Sequence, residues 1–265
     1  MNPDRTVRVF DTRTDLVGTI ADDFVATISE SLRSRAVAHV VLTGGTVGYD
    51  VLAAISEEQR QSLVDWSRIH LWWGDERWLP SGDAERNDAQ AALALLRHIS
   101  IPEENVHRFP ASDGAFDLDA AAVQYARELT EYFPDSTTPR RFDLVFLGVG
   151  PDGHIASLFP GLDGIKATTA GVVSVRNSPK PPPERLSLTL PMINSADQIW
   201  LCLAGADKAS ALGLALAGAS VPEVPAAGAA GLMKTLFFVD ATAAAEVPSE
   251  LLDSNRSAKG QNTLP

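Results

Sequence analysis

What most constrains this chain is the way short apolar runs alternate with stretches of helical period along nearly its whole length. RFDLVFLGVG (141–150) is the clearest run: β-branched and aromatic residues continue unbroken into glycines, as in a strand buried on both faces. AVAHVVL (36–42), Arg68 to Trp73, GVVSVR (171–176), RLSLTL (185–190), QIWLCLA (198–204) and KTLFFVD (234–240) read the same way, and Val7 to Phe10 opens the series. Leu16, Ile20, Phe24, Ile28 and Leu32 recur every four residues and mark one face of a long helix. Further helices are predicted from Thr46 to about Ile55, over Asp88 to His98, over Leu118 to Tyr132 and around Lys208 to Ala217. The expectation is an α/β fold, a mainly parallel twisted sheet with helices on both faces. Ligands of such sheets sit where loops leave the carboxyl ends of strands. The loops after Leu42, Trp73 and Leu147 are therefore the ones to read.

Composition narrows the function classes. At 265 residues and 45% hydrophobic content the chain is expected to form one α/β domain over 1–252, followed by a polar tail at 253–265 that lacks periodicity and is expected to be disordered. The stiff proline cluster PKPPP (179–183) reads as a loop within that domain, not as a linker. A net charge of −12 argues against nucleic acid or an anionic membrane as partner, but leaves room for a small phosphorylated ligand in a locally basic pocket. The single Cys202 excludes an internal disulfide framework and a cysteine zinc site. No apolar stretch reaches the roughly 18 residues of a membrane span, and the first residues are too polar for a secretory signal. A cytoplasmic protein, monomeric or weakly dimeric, is expected.

Three loops carry candidate chemistry. Thr43-Gly44-Gly45-Thr46 sits between a strand and a helix, where two glycines let the backbone approach a phosphate at a helix N-terminus. A plain tight turn is the alternative, and no Gly-Lys-Ser/Thr follows to make it a nucleotide triphosphate loop. WWGDERWLP (72–80) puts three charges at a strand end: Asp75 or Glu76 for proton transfer or ligand positioning, Arg77 for a phosphate or oxyanion. A surface ion-pair cluster is the competing reading.

The third loop, GVGPDGH (148–154), formally satisfies G-x-G-x-x-G through Gly148, Gly150 and Gly153. A dinucleotide site is rejected because Asp152 would face the pyrophosphate and no acidic residue follows about 20 positions on. His154 suits general-base work near neutrality, with Asp152 to orient it or stabilise its charged form. His39, His70, His98 and His107 read as structural, and Cys202 as core. No nucleophile elbow and no metal-binding histidine helix occurs, so a metal-free and cofactor-free site is expected.

Taken together, LTGGT (42–46), WWGDERWLP, FDLVFLGVGPDGHIASLFPG (142–161), PKPPPERLSLTLPMIN (179–194), GADKASAL (205–212) and VPAAG (224–228) resemble, in collinear order, the 6-phosphogluconolactonase family. The resemblance implies hydrolysis of 6-phosphoglucono-δ-lactone without a metal, on the fold shared with glucosamine-6-phosphate deaminases and ribose-5-phosphate isomerases. It places the phosphate on Gly44, Gly45 and Thr46, lines the sugar pocket with Asp75, Glu76 and Arg77, and makes His154 the base beside Asp152. Arg185 and Lys208 would add positive charge, with Arg176 a second candidate for that task. Two departures stand out: Val47-Gly48 follows the glycine loop where Thr-Pro is usual, and Arg86 stands where Ser is common. Asp83 and Asn87 keep the family's spacing.

Two rivals remain. The deaminases of this fold carry a glutamate five residues after the histidine, where this chain has Phe159. A non-catalytic sugar-phosphate-binding domain would need an attached basic DNA-binding segment, which the residues before Val37 do not supply.

Overall fold

The computed structural model describes residues 4–134 and 141–254. The strands are β1 (Asp4–Phe10), β2 (Ala38–Leu42), β3 (Ile69–Trp73), β4 (Asp75–Arg77), β5 (Phe142–Gly148), β6 (Val172–Val175), β7 (Arg185–Leu188), β8 (Ala196–Leu203) and β9 (Lys234–Asp240). The α-helices are α1 (Arg13–Ser34), α2 (Thr46–Ile55), α3 (Glu58–Gln61), α4 (Asn87–Ala94), α5 (Leu118–Tyr132), α6 (Leu190–Ile193), α7 (Ala209–Leu216), α8 (Ala241–Ala244) and α9 (Ser249–Ser254).

Six strands form one parallel sheet in the order β1-β9-β8-β5-β2-β3. β5 lies at its centre with Phe142 to Leu147 buried, as the unbroken apolar run requires. The exception inside that run is Asp143, whose carboxylate takes Arg35 at 2.5 Å and the His39 amide at 2.8 Å; a buried charge persists only when paired in this way. α1 buries the predicted stripe through Leu16, Ile20, Phe24 and Ile28, and Thr12 caps it by accepting from the Asp15 amide at 3.1 Å.

The order of the strands locates the ligand crevice. From β2 the chain moves outward to β3, whereas from β5 it moves the other way through β8 to β9. β2 and β5 are neighbours whose connections diverge, the topological switch point at which open α/β sheets hold their ligands. The loops leaving these two strands are Thr43–Thr46 and Val149–His154.

A second sheet was not legible in the sequence. β4, β7 and β6 pair antiparallel in the order β4-β7-β6, with α5 packed against β6 and β7. Segments of three and four residues carry too little alternation to reveal their pairing. The Asp-Glu-Arg segment is thus an edge strand of this small sheet, not a turn, with Asp75 and Glu76 buried. The helix expected over Asp88 to His98 ends at Ala94, and Leu96–His98 forms a separate single turn of 3₁₀ helix. Of the tail expected from Asp253, Asp253 and Ser254 close α9, and 255–265 lie outside the described residues. Among the described residues no helix is long and apolar enough to cross a membrane.

Candidate active site

A cleft of about 370 Å³ opens at the switch point, within the usual size range of small-ligand sites. Its lining brings together Thr43, Gly44, Gly45, Thr46, Asp75, Arg77, His154, Arg185 and Lys208, nine of the residues singled out from the sequence. Arg13, Asn87 and Lys180 line it too. The basic lining residues are Arg13, Arg77, Lys180, Arg185 and Lys208, against the carboxylates Asp75 and Asp207. A protein of net charge −12 therefore presents a locally cationic cleft, suited to an anionic ligand.

The glycine loop is built for close approach. A Cβ on Gly44 would lie 2.1 Å from Asn87 Oδ1, so the loop and the start of α4 touch only because this residue has no side chain. Gly45 occupies the N-cap position of α2 and supplies no side-chain cap, which leaves first-turn amides available to an anion. Thr43 Oγ1 accepts from the Gly148 amide at 3.1 Å and ties this loop to the end of β5. Val47 and Gly48, the departure from the family pattern, continue α2 as ordinary helix.

The loop after β5 brings His154 and Asp152 together. His154 Nδ1 lies 2.5 Å from Asp152 Oδ1, and the imidazole packs against Phe159 with ring centroids 4.4 Å apart. Partial burial works against ionisation of Asp152, but the hydrogen bond and charge of His154 outweigh it and hold this carboxyl down at about 2. An ionised carboxylate accepts, so Nδ1 carries the hydrogen and Nε2 is left as the basic nitrogen. Gly150 makes the arrangement possible: a Cβ there would fall 2.0 Å from His154 Nδ1 and 2.4 Å from Asp152 Oδ1.

Arg77 and Asp75 reach the cleft from β4. Arg77 Nη1 donates to the Glu85 carbonyl at 2.5 Å, while its Nε is buried with no hydrogen-bond partner among the described residues. Asp75 accepts from Ser157 Oγ at 2.6 Å, and Asn87 Nδ2 donates to the Asp75 carbonyl at 2.8 Å. Glu76 does not line the cleft. Its carboxyl receives the amides of Arg77, Asn87 and Asp88 at 2.8, 2.7 and 2.9 Å, and so anchors the first turn of α4. Arg86, the other departure, is fully buried and binds Asp88 together with the carbonyls of Leu79 and Phe109.

The proline loop contributes a cation that sequence reasoning missed. Arg185 is buried and donates to the carbonyls of Lys180, Pro181 and Pro182, which folds the loop back over the cleft and brings Lys180 into its lining. Burial pulls Lys180 below its ordinary value, and neighbouring Lys208 and Arg185 add to the effect while Asp152 opposes it. Lys208 lies on the far strand end, after β8, paired with Asp207 at 3.0 Å. Arg176 is not brought to the cleft. It is exposed and grips Asp119 with two bonds of 3.0 and 2.9 Å. Lys180 has a signal in retrospect, since it stands five residues before Arg185 in the segment that carried the family resemblance; Arg13 has none. Among the described residues no group of three His, Cys, Asp or Glu side chains is placed to hold a metal ion.

Comparison with known proteins places this geometry among relatives. Residues 11–237 match the family model of glucosamine-6-phosphate isomerases/6-phosphogluconolactonase. A 6-phosphogluconolactonase of Mycobacterium leprae is 44% identical over 245 residues, 92% of this chain and 98% of that protein. One of Streptomyces coelicolor is 48% identical over 231 residues, 86% of this chain and 88% of its own. Among solved structures, the 6-phosphogluconolactonase of Thermotoga maritima superposes with a TM-score of 0.77 at 27% identity, covering 89% of this chain and 99% of that one.

Proposed function

The chain belongs to the glucosamine-6-phosphate isomerase/6-phosphogluconolactonase family, and on that premise we propose that it hydrolyses 6-phosphoglucono-δ-lactone to 6-phosphogluconate. The observation that carries the proposal is the His154–Asp152 pair set beside a cationic cleft at the switch point. The phosphate binds at the glycine loop, with Lys208 and Lys180 as counter-charges, and this fixes the lactone with C1 toward His154. His154 Nε2 takes a proton from water as the water oxygen bonds to C1. Asp152 holds the imidazole tautomer and stabilises the imidazolium. The oxyanion that forms on C1 is met by Arg77, whose buried Nε is otherwise unpaired, or by a backbone amide. The bond from C1 to the ring oxygen then breaks, His154 returns its proton to that oxygen, and the open-chain acid leaves.

General acid–base help of about 10²–10⁴-fold suffices, because a δ-lactone already opens unaided. Phe159 argues against deamination: where that reaction places a glutamate, this chain has a buried apolar ring against the imidazole.

The decisive assay feeds freshly made 6-phosphoglucono-δ-lactone to the protein, with 6-phosphogluconate dehydrogenase downstream. Product formation is expected well above the rate of spontaneous opening. A rate equal to that background, with sugar phosphate still bound, would make the chain a binding domain, and ammonia release from glucosamine 6-phosphate would make it a deaminase.

A further inference from the structure

One cation of the cleft has no part in the mechanism above. Arg13 is the first residue of α1, directly after the Thr12 cap, and lines the cleft together with Gly45, Thr46 and Val47. Its Nη2 is held 2.5 Å from Asp50 Oδ2, and its Nε is buried with no hydrogen-bond partner among the described residues. Asp50 belongs to α2, four residues and about one turn after Thr46, so it shares a helix face with the start of the glycine-loop helix. The tether therefore holds a guanidinium beside the uncapped first turn of α2.

A partly exposed ion pair contributes little to stability, and these side chains are 40% and 45% exposed. What the pair does accomplish is orientation: one edge of the planar fork is occupied by Asp50, which leaves further N–H donors and the positive charge for an anion. We propose that Arg13 is a specificity-determining residue that contacts the substrate's phosphate alongside the amides of the glycine loop, with Asp50 as its positioning residue. This rests on the reading of the cleft as a sugar-phosphate site. It sets a demand on the ligand: the phosphorylated lactone is selected over the unphosphorylated one by a guanidinium that a lysine cannot replace in full, because an ammonium has no second edge to share between Asp50 and phosphate.

Arg13→Met, Arg13→Lys and Asp50→Asn are to be compared with wild type on 6-phosphoglucono-δ-lactone and on glucono-δ-lactone, with inorganic phosphate titrated calorimetrically into each protein. Arg13→Met is expected to raise KM for the phosphorylated lactone about tenfold with kcat changed by less than about twofold, and to leave kcat/KM for the unphosphorylated lactone unaltered. Arg13→Lys recovers part of the loss. Asp50→Asn, which keeps the guanidinium and frees it, gives a smaller KM rise with the same selectivity. An unchanged KM in Arg13→Met, or an equal loss on both substrates, overturns the proposal. If the wild type fails to accelerate lactone opening, the lactonase reading falls. The phosphate titration then decides alone: weaker binding in Arg13→Met upholds the anion contact, and unchanged binding refutes it.

Discussion

In the proposed mechanism His154 carries the heaviest demand of any single residue, and its geometry allows the demand to be divided. His154→Asn keeps much of the volume against Phe159 but removes the basic nitrogen, so kcat is expected to fall by about 10²–10⁴ with KM nearly unchanged. Steady-state kinetics on the phosphorylated lactone decides the matter; a folded variant with near wild-type kcat would remove His154 from the mechanism. Gly150→Ala tests the same pair without touching it. The added Cβ would overlap both His154 Nδ1 and Asp152 Oδ1, so kcat is expected to drop toward that of His154→Asn while the glycine loop still binds phosphate. At this scale the sequence was legible wherever a residue sat within a patterned loop. His154, Asp152 and the Thr43–Thr46 loop were singled out that way, and the structure brings His154 and that loop into one cleft. Lys180 was not, because its place five residues before Arg185 does not tell which way the proline loop folds, and the bonds from Arg185 to three loop carbonyls bring it inward. Arg176 shows the reverse. The chain alone could not distinguish a cationic side chain in the cleft from one spent on Asp119.

Elements, more than residues, explain why the Asp-Glu-Arg segment serves the site. β4 is three residues long and alternates its duties: Asp75 and Arg77 line the cleft, while Glu76 turns away to anchor α4. That anchor fixes Asn87, which in turn fills the space over Gly44. Glu76→Ala leaves three amide hydrogens without their acceptor and is expected to cost about 1–3 kcal/mol of stability. It should also lower kcat/KM, since the glycine loop loses its neighbour; thermal unfolding and kinetics on one preparation measure both. A stability loss with kcat/KM unaltered would confine Glu76 to the scaffold. The parallel strands of the main sheet were readable because burial on both faces writes long apolar runs. The small antiparallel sheet was not, since β6 and β7 are only four residues each and its third strand joins through Arg77 meeting Arg185 across more than a hundred residues of chain.

Over the whole molecule, stability should depend on pH through titratable groups that do not line the cleft. At the sheet edge His70 of β3 stacks on His39 of β2 with centroids 4.8 Å apart, and its Nδ1 lies 3.0 Å from Nε2 of His107. His107 Nδ1 meets Glu128 of α5 at 2.6 Å, and Trp72 and Tyr132 pack around the three rings. Burial, together with the nearby His107, pulls His70 down from 6.5 to about 4. Between those values the unfolded chain binds the proton and the native protein does not, so this group makes stability rise with pH from about 4 to 6.5 and fall on acidification. Glu76 acts in the opposite sense. Burial pushes it from 4.5 up to about 7 against the pull of Arg86, so the native state holds the extra proton and stability falls as pH rises through that range. The two slopes oppose each other between 4.5 and 6.5, and a wild-type profile alone would not separate them. The difference between wild type and His70→Asn does. Asparagine cannot titrate, so the stability advantage of wild type over the variant should be largest at pH 7 and shrink steadily toward pH 4. Thermal midpoints at intervals of about half a pH unit resolve this, since the linkage slope of one proton is spread over the whole window. A gap between the two proteins that stayed constant with pH would show that His70 takes up its proton equally in both states. The pH dependence would then belong to Glu76 and to the acidic surface, not to the histidine stack.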